Sequence, residues 1–185
     1  MADTGAPWNL PYPLPTDLVR DGADAIKDLA EATATSLSSV PQVVRQIVRA
    51  TDTTNRATTS PSFVDVTGMS VSITPTSADS LIIVQAYVLA TASGNSPGFS
   101  NDGYFQLADA SNTPLEGAED ARFGTSLEQV MTSRHYLALS AQVAAVDTSA
   151  RAYKLRFRIH GTGGRTTQAR NADTTGQMYA IEVAP

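Results

Sequence analysis

The sequence predicts a mainly β chain: an antiparallel sandwich of about eight strands behind an extended proline-rich arm and one short helix. Three observations carry that reading. Ala152-Tyr-Lys-Leu-Arg-Phe-Arg-Ile-His160 alternates apolar and basic side chains without a break, the period of a strand with one face on a core and the other in water. Ser80 to Ala90 is the longest apolar run and is rich in β-branched residues; that content, with Pro75 and Gly94 flanking it, favours a strand over a helix. From Gln42 onward, strand-like stretches are separated by clusters of Gly, Pro, Asn and Ser, the punctuation of a chain that turns often.

At 185 residues the chain suits one well-cored domain with an appendage. A formal charge of -5 opposes general nucleic-acid binding, which needs a basic field to neutralise phosphates. Without cysteine there is no disulfide framework, thiolate metal site or thiol nucleophile. The N-terminus lacks the charged and apolar regions of a signal peptide, and no run reaches the roughly 18 apolar residues of a membrane span. No membrane insertion and no cofactor are expected.

Residues 1–15 read as an arm. Pro7, Pro11, Pro13 and Pro15 favour extended or polyproline structure over helix or ladder, and Trp8, Leu10, Tyr12 and Leu14 place an apolar side chain at every second position, costly to leave in water. These four are the expected docking residues. Residues 16–36 read as a helix: Thr16 can cap it and Asp17 sits at the positive end of its dipole. Val19, Gly22, Ile26, Leu29 and Thr33 are spaced three and four apart, a seam that fits either a short coiled coil or the chain's own β domain. Residues 37–41 are a linker, and 42–185 form the β domain.

In that domain Gln42 to Ala50 is the first strand and Thr51 to Ser62 a polar loop. Phe63 to Pro75 is divided by Gly68: Val64 and Val66 lie on even positions, Met69, Val71 and Ile73 on odd ones, so a bulge near Thr67-Gly68 would keep all five inward. In the central strand Ile82, Val84, Ala86, Val88 and Ala90 share one face; Leu81, Ile83, Gln85, Tyr87 and Leu89 share the other. An antiparallel strand of a lone sandwich usually shows one wet face, so a second apolar face calls for another layer, a helix or a neighbouring subunit. A loop from Thr91 to Gly103, a strand from Tyr104 to Ala110 and a polar connection from Asn112 to Ser126 follow. Glu128 to Val146 supplies strand material, Ala152 to His160 the clearest strand, Gly161 to Gly164 a hairpin turn and Arg165 to Arg170 a short strand. Gln177 to Val183 closes the domain with Tyr179, Ile181 and Val183 expected inward.

Signals for chemistry are weak. His135 and His160 are the only histidines and stand in no HExxH spacing; no GxSxG elbow is present, and no enzyme is expected. Asp102, Asp109, Glu116, Glu119 and Asp120 lack the spacing of a calcium loop. Gly161-Thr-Gly-Gly-Arg165 lacks that of a phosphate cradle. The outward row Lys154, Arg156, Arg158, His160 could grip an anion, but pairing with carboxylates on an adjacent strand or subunit is the simpler expectation on an acidic protein. A sugar site would draw on Phe99 and Phe123 in the loops.

The segments FVDVTGMSVSITPTSADSLIIVQA (63–86), GTGGRTTQARNAD (161–173) and GQMYAIEVAP (176–185) resemble the β domain of tailed-phage fibre and appendage proteins. PWNLPYPLPTDLVRDGADAIKDLAEA (7–32) is similar to the leader of small virion proteins, minor tail or fibre components, in phages of actinobacteria. The resemblance implies an eight-stranded jelly roll that forms a homotrimer, with the leader docking onto the particle; for that trimer the spacing offers the helix seam at Val19, Ile26 and Leu29, and the alternation the second strand face at Leu81, Ile83, Tyr87 and Leu89. It further implies partners among other virion proteins of tail or capsid, possible contact with a host-surface glycan, and residence in a virion assembled in the host cytoplasm. Such fibres often carry a long repetitive shaft; here one short helix takes its place.

Overall fold

The computed structural model describes residues 2–3, 11–12, 22–38, 43–94, 101–125, 132–161 and 164–184, in two compact units, Met1–Gln42 and Val43–Pro185. In the first unit β1 (Ala2–Asp3) pairs antiparallel with β2 (Pro11–Tyr12), Ala2 opposite Tyr12 and Asp3 opposite Pro11. The proline spacing argued against a ladder; proline loses only its donor and keeps its carbonyl, which leaves room for a two-residue ladder. The side chains of Trp8, Leu10, Tyr12 and Leu14 lie outside the described residues.

Helix α1 (Gly22–Ser38) runs past the expected stop at Ser36. Its threonines need not break it: the Thr35 hydroxyl donates to the Glu31 carbonyl one turn back (2.9 Å), which satisfies the group inside the helix. The expected start at Asp17, with Val19, lies outside the described residues. Of the rest of the seam, Leu29 is half-buried, Ile26 is 69% exposed, and Ala25 is the buried residue.

The second unit holds β3 (Val44–Asp52), β4 (Arg56–Thr58), β5 (Val64–Ile73), β6 (Leu81–Gly94), β7 (Asn101–Asp109), β8 (Ala121–Thr125), β9 (Thr132–Ala144), β10 (Arg151–Ile159), β11 (Arg165–Ala169) and β12 (Gly176–Val183). A short sheet runs β5-β10-β7-β8, and a long sheet runs β3-β12-β6 with β9 on the other edge of β6. Strand β6 is long enough to pair twice along one edge: β12 takes Leu81 to Tyr87 and β11 takes Ala90 to Gly94, with β4 outside β11. Setting β4 and β11 aside, the eight main strands in chain order stand 1-8-3-6 in the long sheet and 2-7-4-5 in the short one. That is the strand order of a jelly roll, wound as two Greek keys.

The core lies between the sheets. Ile82, Val84 and Ala86 of β6 meet Met178 and Ala180 of β12 on one side; Met69, Val71, Phe105, Leu107, Leu155 and Phe157 come from the short sheet. Phe105 is fully buried, with the Phe123 and Phe157 rings 5.6 and 5.8 Å away. Burying each such side chain is worth about 1.5–3 kcal/mol. The bulge expected at Gly68 is present: β5 and β10 slip register between Lys154 and Arg156, and Gly68 has φ +90, with a Cβ there falling 2.9 Å from Asp52 Cγ. Val66, Met69, Val71 and Ile73 are buried as expected; Val64, at the sheet margin opposite Phe157, is 37% exposed.

Four expectations need correction. The polar stretches 51–62 and 112–126 carry β4 and β8, strands too short and polar to show a period. Gly161 to Gly164 does not join a hairpin, because β10 belongs to the short sheet and β11 to the long one; the turn hands the chain across the sandwich. In β12 the inward set is Met178, Ala180 and Glu182, while Tyr179, Ile181 and Val183 face out. A one-residue change of parity exchanges a strand's two faces, and the smaller set is the one that fits against Val84 and Ala86.

Candidate interaction face on the long sheet

Register alone assembles an apolar surface on the outer side of the long sheet. Cross-strand partners stand side by side on one face, so Ile47, Ile181 and Ile83 form a row across β3, β12 and β6 that ends at Gln142 of β9. Val44, Val183 and Leu81 make a second apolar row beside it. The next row along the sheet is Arg49, Tyr179, Gln85 and Ser140, followed by Thr51, Gln177, Tyr87 and Ala138. Beyond these, Tyr136 of β9 stands opposite Leu89.

The aromatic end is ordered by polar contacts. Tyr87 and Tyr179 meet edge to face at 6.2 Å, and the Arg49 guanidinium lies 5.7 Å from the Tyr179 ring centre. Arg49 Nη2 and the Tyr179 hydroxyl both donate to Gln177 Oε1 (3.1 and 2.5 Å), and the Tyr87 hydroxyl donates to Gln85 Oε1 (3.3 Å). Despite these contacts much of the apolar surface is in water: Tyr136 is 77% exposed, Ile47 60% and Tyr87 42%. Leu81 and Ile83 are half-buried. Leu89 departs from the expected face in being buried; the Arg170 amide donates to its carbonyl (2.7 Å), and Thr174 and Thr175 share its hollow. No carboxylate stands in these rows.

Directly beneath lies Glu182, fully buried. Gln46 Nε2 donates to its Oε2 (2.6 Å), and the Thr76 amide and hydroxyl donate to its Oε1 (2.8 and 2.7 Å). Burial alone would push its pKa up, but these donors favour the charged form and hold it down at about 2, with Ser80 close enough to contribute although its hydroxyl falls outside hydrogen-bond geometry. The carboxylate thus ties β12 to β3 and to the 74–80 connection.

The outer face of the short sheet is different. Lys154 and Arg156 share Asp65 (3.0 and 2.9 Å), Arg156 also donates to the Phe63 carbonyl (2.7 Å), and Arg158 reaches Asp120 (3.3 Å) while lying 3.9 Å from the Tyr104 ring centre. Burial raises the Asp65 pKa, but the two cations outweigh it and hold the group below its ordinary value. His160 Nδ1 lies 3.8 Å from Asp102, which Arg122 grips with two nitrogens. The basic row is paired, as expected. Two further loop acids are engaged as well: Asp109 accepts from the Thr113 amide (2.8 Å) and Glu119 from the Gly117 amide (3.0 Å). Among the described residues no three metal-ligating side chains cluster. Phe123 is buried, with His135 at its edge (5.8 Å), and so offers a sugar no stacking platform; Phe99 lies outside the described residues. Among the described residues no helix is long and apolar enough to cross a membrane.

Sequence reasoning found the β6 part of the outer face and missed Ile47, Tyr136, Tyr179 and Ile181. For β12 the signal was present, since Tyr179, Ile181 and Val183 are as apolar as any inward set, but one strand's period does not say which face is the core.

No protein-family model matches the sequence, and no curated protein matches it. Among solved structures the chain is similar to infectious bursal disease virus, Gx strain (12% identity over 75% of this chain and 32% of that one, TM-score 0.38). It is similar to the Eiger TNF of S. frugiperda (12% identity, 76% and 94%, TM-score 0.32) and to latent PorU of Porphyromonas gingivalis (10% identity, 78% and 14%, TM-score 0.35). The chain spans about a third of the length of the first. At these TM-scores nothing is carried from those proteins to this one.

Proposed function

We propose that this chain is a non-enzymatic structural subunit of a virus particle, a homotrimer whose jelly-roll domains associate through the outer face of the long sheet. The observation that carries assembly is that face: its rows hold Ile, Val, Leu and Tyr among uncharged polar residues and a single Arg, without one carboxylate, on a chain of net charge -5. Charge depletion with aromatic enrichment is the composition of an interface core, and contiguous exposed apolar patches mark interaction sites. The virion assignment draws on the resemblance of the leader and the β segments to phage appendage proteins. A tail fibre or minor tail component, docked through its arm and projecting the β domain for host contact, is the first assignment; a head fibre or capsid decoration protein is the alternative.

Sedimentation at micromolar concentration tests assembly: three times the 19.5 kDa chain mass is expected, and a monomer refutes it. Docking is tested by supplying Trp8→Ala protein to particles lacking the native copy. Interface energy concentrates in Trp, Tyr and Arg, so incorporation is expected to weaken by about 2 kcal/mol with melting unchanged. Normal incorporation would make the arm a passive tail. A glycan-binding reading has one observation of its own, the exposed Tyr87 and Tyr136 rings beside Gln177; glycan binding by the assembled trimer that is lost in Tyr136→Ala would favour it.

A further inference from the structure

We infer that the trimer closes by seating Tyr136 of each copy in the groove between β3, β12 and β6 of the next, so that the β9 margin of one long sheet meets the β3 margin of its neighbour. This rests on the trimeric reading above and specifies its contact. A two-fold contact joins a patch to itself, whereas a ring of three needs two different patches that fit each other. The long sheet offers such a pair. At one margin β9 pairs with β6 along its whole length, from Thr132 to Ala144, and among the described residues with no strand on its other side. It carries no proline or bulge and a single fully charged side chain, Arg134, little protection for a free edge of this length, and it presents Tyr136, the most exposed large apolar side chain described.

Near the other margin Ile47, Gln85, Tyr87, Gln177, Tyr179 and Ile181 line a groove of about 380 Å³. It suits a phenol: ring edges and isoleucine methyls for the ring, and the Gln85 and Gln177 amides for the hydroxyl. The groove holds no carboxylate to repel an approaching surface of an acidic chain. Among the described residues Tyr136 is the one aromatic side chain more than half exposed, which makes a second copy the occupant this chain itself provides. Height agrees as well. Rotation about an axis along the strands keeps every residue at its level, and Tyr136, level with Leu89, is one pleat repeat from the row of Tyr87 and Gln177, about 7 Å, within reach of a tyrosine side chain. The same contact covers the free β9 edge.

A photo-reactive benzophenone amino acid placed at position 136 keeps a large aromatic side chain there and marks what that side chain touches. On irradiation it is expected to give covalent dimers and trimers, with the cross-link falling in the groove peptides 44–52 or 176–183 of the second copy. Adding Ile181→Asp, which puts a carboxylate in the groove, is expected to abolish that product. Tyr136→Ala is expected to weaken association roughly 30-fold, and Tyr136→Phe far less. A cross-link from position 136 to the β9 peptide of the second copy would mean that like patches meet and overturns the inference. A sedimenting trimer that gives no cross-link in the groove also overturns it and leaves the trimer standing; a monomer at every concentration removes the trimeric reading and this contact with it.

Discussion

The two outer faces of this sandwich come from the same chain and the same pleat, yet they are finished in opposite ways. On the short sheet the outward cations of β10 have partners, Asp65 for Lys154 and Arg156 and Asp120 for Arg158, and Asp102 lies beside His160 just past the strand. On the long sheet the corresponding positions are Ile47, Ile181, Ile83 and Tyr87, of which Ile47 and Tyr87 stand most in water. A face completed by its own ion pairs has little to gain from a partner, because any partner must first displace those pairs. An apolar face gains about 25 cal/mol for every Å² it removes from water. The difference supports the proposed division of roles, the short sheet toward solvent and the long sheet toward another copy.

One substitution on each face breaks or sharpens that contrast most strongly. Ile47→Asp places a carboxylate in the middle of the apolar rows. Buried in an interface without a partner, it is expected to cost about 3 to 5 kcal/mol of association, while the isolated domain, where Ile47 is 60% exposed, keeps its melting within about 0.5 kcal/mol. Ser72→Asp on the exposed side of the short sheet is expected to change neither. Sedimentation and melting of both variants are the measurement. Equal effects, or an Ile47→Asp protein that still associates, would show that the contrast between the faces has no bearing on assembly.

How much of this was legible in the sequence varies by element for physical reasons. Strand β10 was plain because from Tyr153 onward apolar and basic side chains alternate strictly, and its pairing followed from a spaced basic row on an acidic chain. The Gly68 bulge was legible because two hydrophobic periods of opposite parity met at a glycine. Strand β12 was assigned the wrong face: its core side holds Ala180 and a charged Glu182, and a carboxylate in a core is recognised only when its donors, Gln46 and Thr76, are in view. Strands β4 and β8 were invisible because three and five residues inside longer polar stretches show no period, whereas β11, as short, was set off by the glycines before it. The groove was out of reach for a different reason. It is made by register across β3, β12 and β6, and no single strand carries it.

The second effect in size separates the two faces by acid. Glu182 titrates at about 2 in the folded protein against an ordinary 4.5, so its donors favour folding by about 3 kcal/mol wherever the unfolded group is ionised. A depressed carboxylate contributes in full above about pH 4.5, and the contribution is lost as pH falls toward 2. Because Glu182 lies under the long sheet, acid is expected to loosen β3 and β12, and with them the assembly. Glu182→Gln should be less stable at pH 7 and much flatter between pH 4.5 and 2, as thermal melting across that range would show. A wild-type protein whose melting does not move over that range would mean that the buried carboxylate is not held in its charged form.

The smallest effect belongs to the short sheet and completes the comparison. Asp65 is half exposed and accepts from two cations, so screening by water and salt leaves each pair worth well under its bare attraction, about 1 kcal/mol or less. Replacing Lys154, Arg156 and Arg158 together with alanine is expected to lower stability modestly, with most of the loss from Arg156, which is 14% exposed and also holds the Phe63 carbonyl, and from Arg158, whose guanidinium covers Tyr104. Association of the trimer should be unchanged, since none of the three lies on the apolar rows, and binding to anionic glycans or DNA should be no different from the parent. Asp65→Asn is the sharper probe. It removes the charge and keeps the shape, so it leaves two cations facing each other across one amide, and the resulting loss should shrink as salt is raised. Salt-sensitive binding of an anion that disappears with the three alanines would turn the paired face into a binding surface, and the division of roles between the two sheets would then have to be redrawn.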